Sequence, residues 1–214
     1  TAPTIDIDPT SSNNSGPKAV TVLNVPPQVT SLSLSATSIN ENDDLDLTVK
    51  FTDPGRLDTH TVDIAWGDGT TDTAVPIAFP DREFTIRHRY LDDNPSGTAL
   101  DINAIHVTVH DNNGGSGSGD TSVKVGNLLP VIAGASTGST AATPGKEGVP
   151  TNVSATFTDV GTLDTHTALV DWNDGSITPA VIFEAGGVGS LSATHPYAAG
   201  GIYTVKITLT DENG

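Results

Sequence analysis

The chain contains the sequence FTDPGRLDTHTVDIAWGDGT at residues 51–70 and a closely similar sequence, FTDVGTLDTHTALVDWNDGS, at residues 157–176. The offset between the copies is constant, at 106 residues from Phe51 to Phe157 and from Trp66 to Trp172. A motif that recurs after about one domain length indicates tandem copies of one fold, each with its own hydrophobic core.

Each copy of the motif predicts a strand, an acidic loop, a second strand and a tight turn. In the first copy, an alternating apolar run ends at Phe51, and residues 53–58 are rich in turn-forming types. The alternation resumes with Val62, Ile64 and Trp66 on one face, which predicts a half-buried strand. Similar runs elsewhere predict further strands and no helix, so the chain is predicted to be all-β.

The turns Trp66-Gly-Asp-Gly69 and Trp172-Asn-Asp-Gly175 resemble those of PKD-type immunoglobulin-like modules, which occur as tandem repeats in large bacterial and archaeal surface proteins. The resemblance implies two immunoglobulin-like (PKD-like) β-sandwiches, which we expect at residues 26–127 and 128–214. Residues 1–25 resemble the last strand or hairpin of a preceding module, because Asn24 and Pro27 match Asn127 and Pro130.

The composition limits the classes of partner. The chain has 9 Lys and Arg residues against 26 Asp and Glu residues, a formal net charge of -17. This charge argues against nucleic acid and anionic membranes as partners. No cysteine is present, which rules out disulfides and zinc–thiolate sites. No apolar run is long enough for a membrane-spanning helix, so we expect no membrane insertion.

The acidic loops are candidate calcium sites. In an immunoglobulin-like strand order, the start of the module, the loop after the first Phe and the loop after the sixth strand lie at one end. Carboxylate and amide oxygens from several loops suit calcium, which takes about six to eight oxygen ligands. The predicted ligands are Asn24, Asp53, Asp58 and Asp111 in the first module, and Asn127, Asp159, Asp164 and Asp211 in the second.

The PKD resemblance points the same way, since some PKD-like modules of secreted proteins bind calcium near the start of the domain. The alternative is that these residues form hydrogen-bonded turns and solvated surface. Asp68 and Asp92-Asp93 are expected at the opposite end of the first module, facing the second, where calcium would also stiffen the junction.

Other residues are interpreted as structural. His60 and His166 occupy equivalent positions, as do His88 and His195, and catalytic residues are seldom duplicated in this way. The tryptophans follow the alternation of core residues, which favours burial over a sugar-binding platform. Residues 115–119 (GSGSG) read as a flexible loop rather than a nucleophile elbow. We therefore expect no enzyme activity.

The second copy has no counterpart of the predicted strand Thr121–Val125, whereas residues 18–23 alternate in the same way as that strand. Two explanations remain open. The chain is part of a longer array, or the first strands of one molecule complete the second module of another and build filaments.

The expected function is that of a calcium-stiffened spacer or adhesion segment of an extracellular or cell-surface protein. The alternatives are a filament subunit and an accessory substrate-binding module of a secreted hydrolase. The expected partners are neighbouring repeats or copies of the chain, with a surface polysaccharide or protein as an adhesion ligand.

Overall fold

The computed structural model describes residues 19–213, which contain strands and no helix. The strand predicted at residues 4–8 and the polar loop at residues 10–16 lie outside the described residues. Among those described, there is no helix of the length and hydrophobicity that a membrane crossing needs. The strands belong to two successive β-sandwiches, here called module 1 (residues 28–126) and module 2 (residues 131–211).

Module 1 consists of two facing sheets. Its strands are β1 (Gln28–Leu34), β2 (Ser38–Asn40), β3 (Asp44–Thr52), β4 (His60–Ala65), β5 (Thr71–Ile77), β6 (Glu83–Arg89), β7 (Leu100–Asp111) and β8 (Ser116–Gly126). One sheet has the order β1-β3-β6 and the other the order β2-β8-β7-β4-β5. All neighbouring strands are antiparallel except β2 and β8, which are parallel. The short strand β2 was not predicted.

Module 2 repeats this arrangement with a different set of edge strands. Its strands are β9 (Val131–Thr137), β10 (Pro150–Thr158), β11 (His166–Asp171), β12 (Ile177–Pro179), β13 (Val181–Ala185), β14 (Val188–Pro196) and β15 (Lys206–Asp211). The sheets have the orders β13-β14-β10-β9 and β12-β11-β15. Among the described residues, β15 pairs only with β11, whereas its counterpart β7 pairs with both β4 and β8.

The core of each module lies between its two sheets and encloses the tryptophan. Leu45, Leu47 and Val49 alternate with more exposed residues on β3 and face Val62 and other apolar residues of the opposite sheet. Trp66 is 1% exposed and Trp172 is 0% exposed. The prediction that both indole rings belong to the core is confirmed.

A tyrosine fixes the turn that follows each tryptophan. The Tyr90 hydroxyl donates a hydrogen bond to the Trp66 carbonyl at 3.0 Å, and the Tyr197 hydroxyl donates to the Trp172 carbonyl at 3.2 Å. Because these bonds join residues more than 20 positions apart, they tie the end of one sheet to the other.

The interpretation of residues 115–119 as a flexible loop is wrong, because strand β8 begins at Ser116. A Cβ atom on Gly117 would overlap the Pro27 carbonyl, and one on Gly119 would lie 3.1 Å from Val29 Cγ1. The glycines therefore allow β8 to pass close to the start of β1.

The strand predicted over residues 18–23 is not observed at residues 19–23, which have no strand partner among the described residues. A strand forms only where another strand accepts its backbone hydrogen bonds, and alternation alone does not supply one. Val20 and Val22 are 84% and 87% exposed there.

Candidate metal centre at the junction of the modules

The four predicted ligands of module 1, here called start site 1, lie together. A carboxylate oxygen from each of Asp53, Asp58 and Asp111 lies within 4.8 Å of the others. Asn24 precedes β1 and reaches the same place, since its Nδ2 donates to Asp111 Oδ2 at 2.8 Å. The strand order thus brings these residues together, and their role as calcium ligands remains a prediction.

Hydrogen-bond donors of the protein satisfy much of start site 1. Asp53 Oδ2 lies 2.7 Å from His60 Nε2, and Asp58 Oδ1 accepts from Asn113 Nδ2 at 3.0 Å. Burial would raise the pKa of Asp111, but hydrogen bonds from Asn24 and from two backbone amides hold it below its usual value.

The predicted ligands of module 2, here called start site 2, are brought together only in part, because Asp159 and Asp164 belong to one group of carboxylates and Asp211 does not. Asp159 Oδ2 lies 2.8 Å from His166 Nε2, and Asp211 Oδ2 accepts from Asn127 Nδ2 at 3.1 Å. Asp164, however, is 8% exposed, and neither of its carboxylate oxygens has a hydrogen-bond partner in the described structure. Asn127 Oδ1 is also buried without a partner.

Module 1 adds further carboxylates to start site 2. Glu41 follows β2, is fully buried, and places a carboxylate oxygen within 4.8 Å of those of Asp159 and Asp164. It also forms a second group of the same size with Asp92 and Asp93. A third group joins Asp92 and Asp164 to a further residue of module 2, Glu212.

We call these six residues the junction cluster. Its members from module 1 are Glu41, Asp92 and Asp93, and its members from module 2 are Asp159, Asp164 and Glu212. The three groups share members, so the carboxylates form one continuous set across the boundary between the modules.

Hydrogen bonds also cross this boundary. The Thr162 amide donates to the Leu91 carbonyl at 3.1 Å. Asn213 Nδ2 donates to Asp93 Oδ1, whereas its counterpart in module 1, Asn113, donates to Asp58 of its own module. The two modules are therefore in direct contact at the junction cluster.

Burial and mutual repulsion disfavour the charged forms of the junction cluster. Burial, followed by the charges of Asp164, Asp159 and Asp93, raises the pKa of Glu41 to about 8. Burial is also the main cause that raises the pKa of Asp93 to about 7 and the pKa of Asp164 to about 6. Buried carboxylates of this kind either hold protons or bind cations.

Neither a protein-family model nor a curated protein matches the chain. Among solved structures, the chain is similar to the PKD domain of an M14-like peptidase from a Thermoplasmatales archaeon. The identity is 23% and the TM-score 0.40, over 49% of this chain and 99% of that one.

Two further structures are similar over more of the chain. A structure of carbohydrate-binding modules of the β-sandwich superfamily has 16% identity and a TM-score of 0.37, covering 88% of this chain and 85% of that one. Red sea bream transglutaminase has 15% identity and a TM-score of 0.33, covering 87% of this chain and 29% of that one. These likenesses concern the fold alone. The sheet topology is that of two successive β-sandwiches, and the repeated turns after Trp66 and Trp172 resemble those of PKD-type modules.

The junction cluster has the chemistry of a site for a hard divalent cation. Its ligand atoms are carboxylate oxygens on several loops, and calcium accepts such oxygens in flexible geometry, whereas magnesium requires near-octahedral coordination. Unpartnered oxygens of Glu41, Asp93 and Asp164 are buried, and those of Glu41 and Asp164 converge on the same space beside Gly161. The residues present therefore fit calcium.

Sequence reasoning missed Glu41, Glu212 and Asn213. The repeat contained a signal for the first of them, because Glu147 follows Glu41 at the same offset of 106 residues that separates the two motifs. Asp68, which was predicted to face module 2, does not belong to the junction cluster. Its Oδ2 instead lies 2.7 Å from His88 Nε2 beside the tryptophan turn.

The repeated histidines connect the core to the loops. His60 and His166 contact the aromatic rings of Phe51 and Phe157 and also bond to a loop aspartate. Likewise, the His88 ring stacks on Trp66 with the centroids 4.5 Å apart. These contacts explain why the histidines recur at equivalent positions without invoking catalysis.

Proposed function

We propose that this chain is a non-catalytic spacer or adhesion segment of an extracellular or cell-surface protein, and that calcium stiffens it. The observation that carries the proposal is the set of buried, unpartnered carboxylate oxygens at the boundary between the modules. A cation there replaces repulsion between carboxylates by attraction to a common charge, and it binds residues of both modules at once. Two modules joined in this way transmit force as one body.

Start site 1 is part of the same proposal. Asp53, Asp58 and Asp111 would bind calcium more weakly than the junction does, because donors of the protein already occupy several of their oxygens. Calcium-binding modules in extracellular surroundings have dissociation constants of about 10⁻⁴–10⁻³ M. An extracellular location would supply calcium in that range.

The test is thermal unfolding of the whole chain in calcium and in a chelator. Calcium is expected to raise the melting temperature, because an ion that binds the folded state alone stabilises it by mass action. The variant Asp120→Asn is the matched control. Asp120 is exposed, pairs with His106 and belongs to none of the acidic groups that could hold a metal ion. Equal melting temperatures with calcium and chelator would refute the calcium part of the proposal.

A second candidate function is self-assembly by strand donation, and a comparison between repeats favours it. Val123 and Val125 on β8 are 1% and 0% exposed, but their counterparts Val20 and Val22 are largely exposed. On the side of β15 that corresponds to β8, no described strand is present. We propose that residues 19–23 of one copy pair with β15 of a second copy, as β8 pairs with β7.

This candidate is tested by the oligomeric state of two matched variants. The double substitution Val20→Asp with Val22→Asp places charges at the positions that correspond to the buried Val123 and Val125 of β8. It is expected to abolish assembly. Thr21→Asp alters the intervening position, whose counterpart Lys124 is exposed, and is expected to leave assembly intact. Light scattering that finds the unmodified chain monomeric at high concentration would overturn the candidate.

A further inference from the structure

We infer that the junction cluster holds two divalent cations, with Glu41 as the ligand that they share. This inference rests on the proposed function, which requires only that calcium binds at the junction. The inference goes beyond the proposed function in the number of ions and in assigning a second binding site to module 1. The two sites are the group of Glu41, Asp159 and Asp164 and the group of Glu41, Asp92 and Asp93.

The first cation site lies above Gly161. A Cβ atom on that glycine would overlap Asp164 Oδ1, Asp164 Oδ2 and Glu41 Oε2. These three oxygens are buried, and none has a hydrogen-bond partner in the described structure. They therefore converge on one small space with no donor to stabilise them, an arrangement that a cation satisfies.

The second cation site lies on the module 1 side of the cluster. Asp93 is 0% exposed, and its Oδ2 has no hydrogen-bond partner in the described structure. Its Oδ1 accepts a hydrogen bond from Asn213 of module 2, which fixes the orientation of the carboxylate. Asp92 is oriented by Asn94, whose backbone amide and side-chain amide donate to its two oxygens at 3.1 and 2.6 Å.

Glu41 is suited to bridge the two sites. Its Oε1 accepts a hydrogen bond from the Leu128 amide at 2.6 Å, and its Oε2 has no partner. Since Leu128 lies in the segment that connects the modules, this bond holds the carboxylate at the boundary. Glu41 is also the one residue common to the groups that contain Asp93 and Asp159.

The charge of the cluster favours two ions over one. Its six carboxylates carry six formal negative charges when ionised, of which one divalent ion would neutralise two. A single ion in the first site would leave Asp93 unneutralised, and a single ion in the second would leave Asp164 unneutralised, although both are at least nine-tenths buried. Charges in such surroundings are strongly disfavoured unless paired, so a buried carboxylate that the first ion does not reach takes up a proton or binds a second ion, and the second ion is what allows both aspartates to remain ionised.

The experiment counts calcium ions bound to the whole chain by native mass spectrometry. Asp93→Ala removes a ligand of the second site alone, and Gly161→Ala fills the space of the first. Each is expected to reduce the number of bound ions by one relative to the unmodified chain, and the combination by two. Asp93→Asn keeps an acceptor for Asn213 and is expected to weaken binding of one ion at least about tenfold in calorimetry, a change of about 1.4 kcal/mol.

Two controls keep the count interpretable. Gly134→Ala lies outside every acidic group, where its Cβ would be 3.7 Å from Thr156 Oγ1, and it is expected to leave the number of bound ions unchanged. Melting temperatures in chelator show whether each variant remains folded. If Asp93→Ala does not fold, Asp93→Asn replaces it as the test of the second site.

The outcomes separate this inference from the proposed function. If Gly161→Ala loses one ion while both Asp93 variants bind as many ions as the unmodified chain with unchanged affinity, the junction holds a single ion and the inference is overturned, but calcium binding stands. If the unmodified chain binds no calcium, both the inference and the calcium part of the proposed function are overturned.

Discussion

Glu41 shows how one residue can have opposite effects on stability under two conditions. Without a cation, its carboxyl group is buried among Asp93, Asp159 and Asp164, and burial raises its pKa to about 8. With a cation, the ionised form becomes a ligand shared by the two modules. The same side chain is thus a source of repulsion in one state and a connection in the other.

A glutamine at this position should separate the two states. The folded-state pKa of Glu41 exceeds the ordinary value of 4.5. Between about pH 4.5 and 8, the folded chain therefore holds a proton that the unfolded chain has already released. In chelator, stability should therefore fall as the pH rises through this window, by at most about 1.4 kcal/mol per pH unit for this one proton.

Glu41→Gln is expected to reduce that pH dependence, because the amide does not titrate. At pH 8 it should raise the melting temperature in chelator and lower it in saturating calcium, whereas at pH 5 in chelator it should have little effect. The measurement is the melting temperature of Glu41→Gln at pH 5 and pH 8, with Asp120→Asn as the control. A variant with the same sign of effect in chelator and in calcium at pH 8 would contradict this account of Glu41.

At the scale of the element, β8 shows why a glycine-rich sequence is not necessarily flexible. Residues 115–119 alternate glycine with serine, a composition typical of a loop. In the folded chain, however, the glycines lie against the start of β1 and the residue before it, with Val29 and Pro27 as their neighbours. The strand forms because β7 provides a full ladder of hydrogen-bond partners.

Gly117→Ala is therefore expected to destabilise module 1. Its Cβ would overlap the Pro27 carbonyl and lie 3.3 Å from the Gln28 Cα, and relieving such overpacking costs about 1–3 kcal/mol. Gly134→Ala on β9 is the matched control, since the nearest neighbour of its Cβ, Thr156 Oγ1, would be 3.7 Å away. Chemical denaturation gives the free energies of unfolding of the two variants. Similar values would show that the contact between Gly117 and Pro27 is not tight.

For the molecule as a whole, net charge and specific cation binding make distinguishable contributions. The formal charge of -17 is spread over the chain, whereas the junction cluster concentrates six carboxylates in one place. Monovalent salt screens the exposed charges, but it does not provide a divalent cation that the buried carboxylates can coordinate.

In chelator, sodium chloride is expected to raise the melting temperature as the Debye length falls from about 30 Å at 0.01 M to about 3 Å at 1 M. Millimolar calcium should raise it further than sodium chloride of the same ionic strength, and Asp93→Ala should lessen that difference. Calorimetric scans in matched buffers measure these shifts. Equal effects of the two salts at equal ionic strength would show that screening alone operates.

Alternation and spacing in the sequence were enough to predict the class of fold, the repeat and the residues of the core. Alternation along a strand directly encodes which side chains face inward, so the burial of residues such as Trp66 and Val62 could be predicted. It also placed Asp53, Asp58 and Asp111 near one another, because a sandwich topology specifies which loops share an end.

The proximity of Glu41 and Asp93 to Asp164 follows from the packing of the two modules and could not be predicted from the sequence. Glu41 and Asp164 are more than 120 residues apart, and their approach depends on how the two modules pack and on bonds such as that from Asn213 to Asp93. Strand pairing likewise extends the predicted strand Thr121–Val125 back to Ser116 and leaves residues 19–23 without a strand partner among the described residues. Local sequence specifies the face that a side chain occupies, but convergence across modules and strand pairing depend on partners that are distant in the chain.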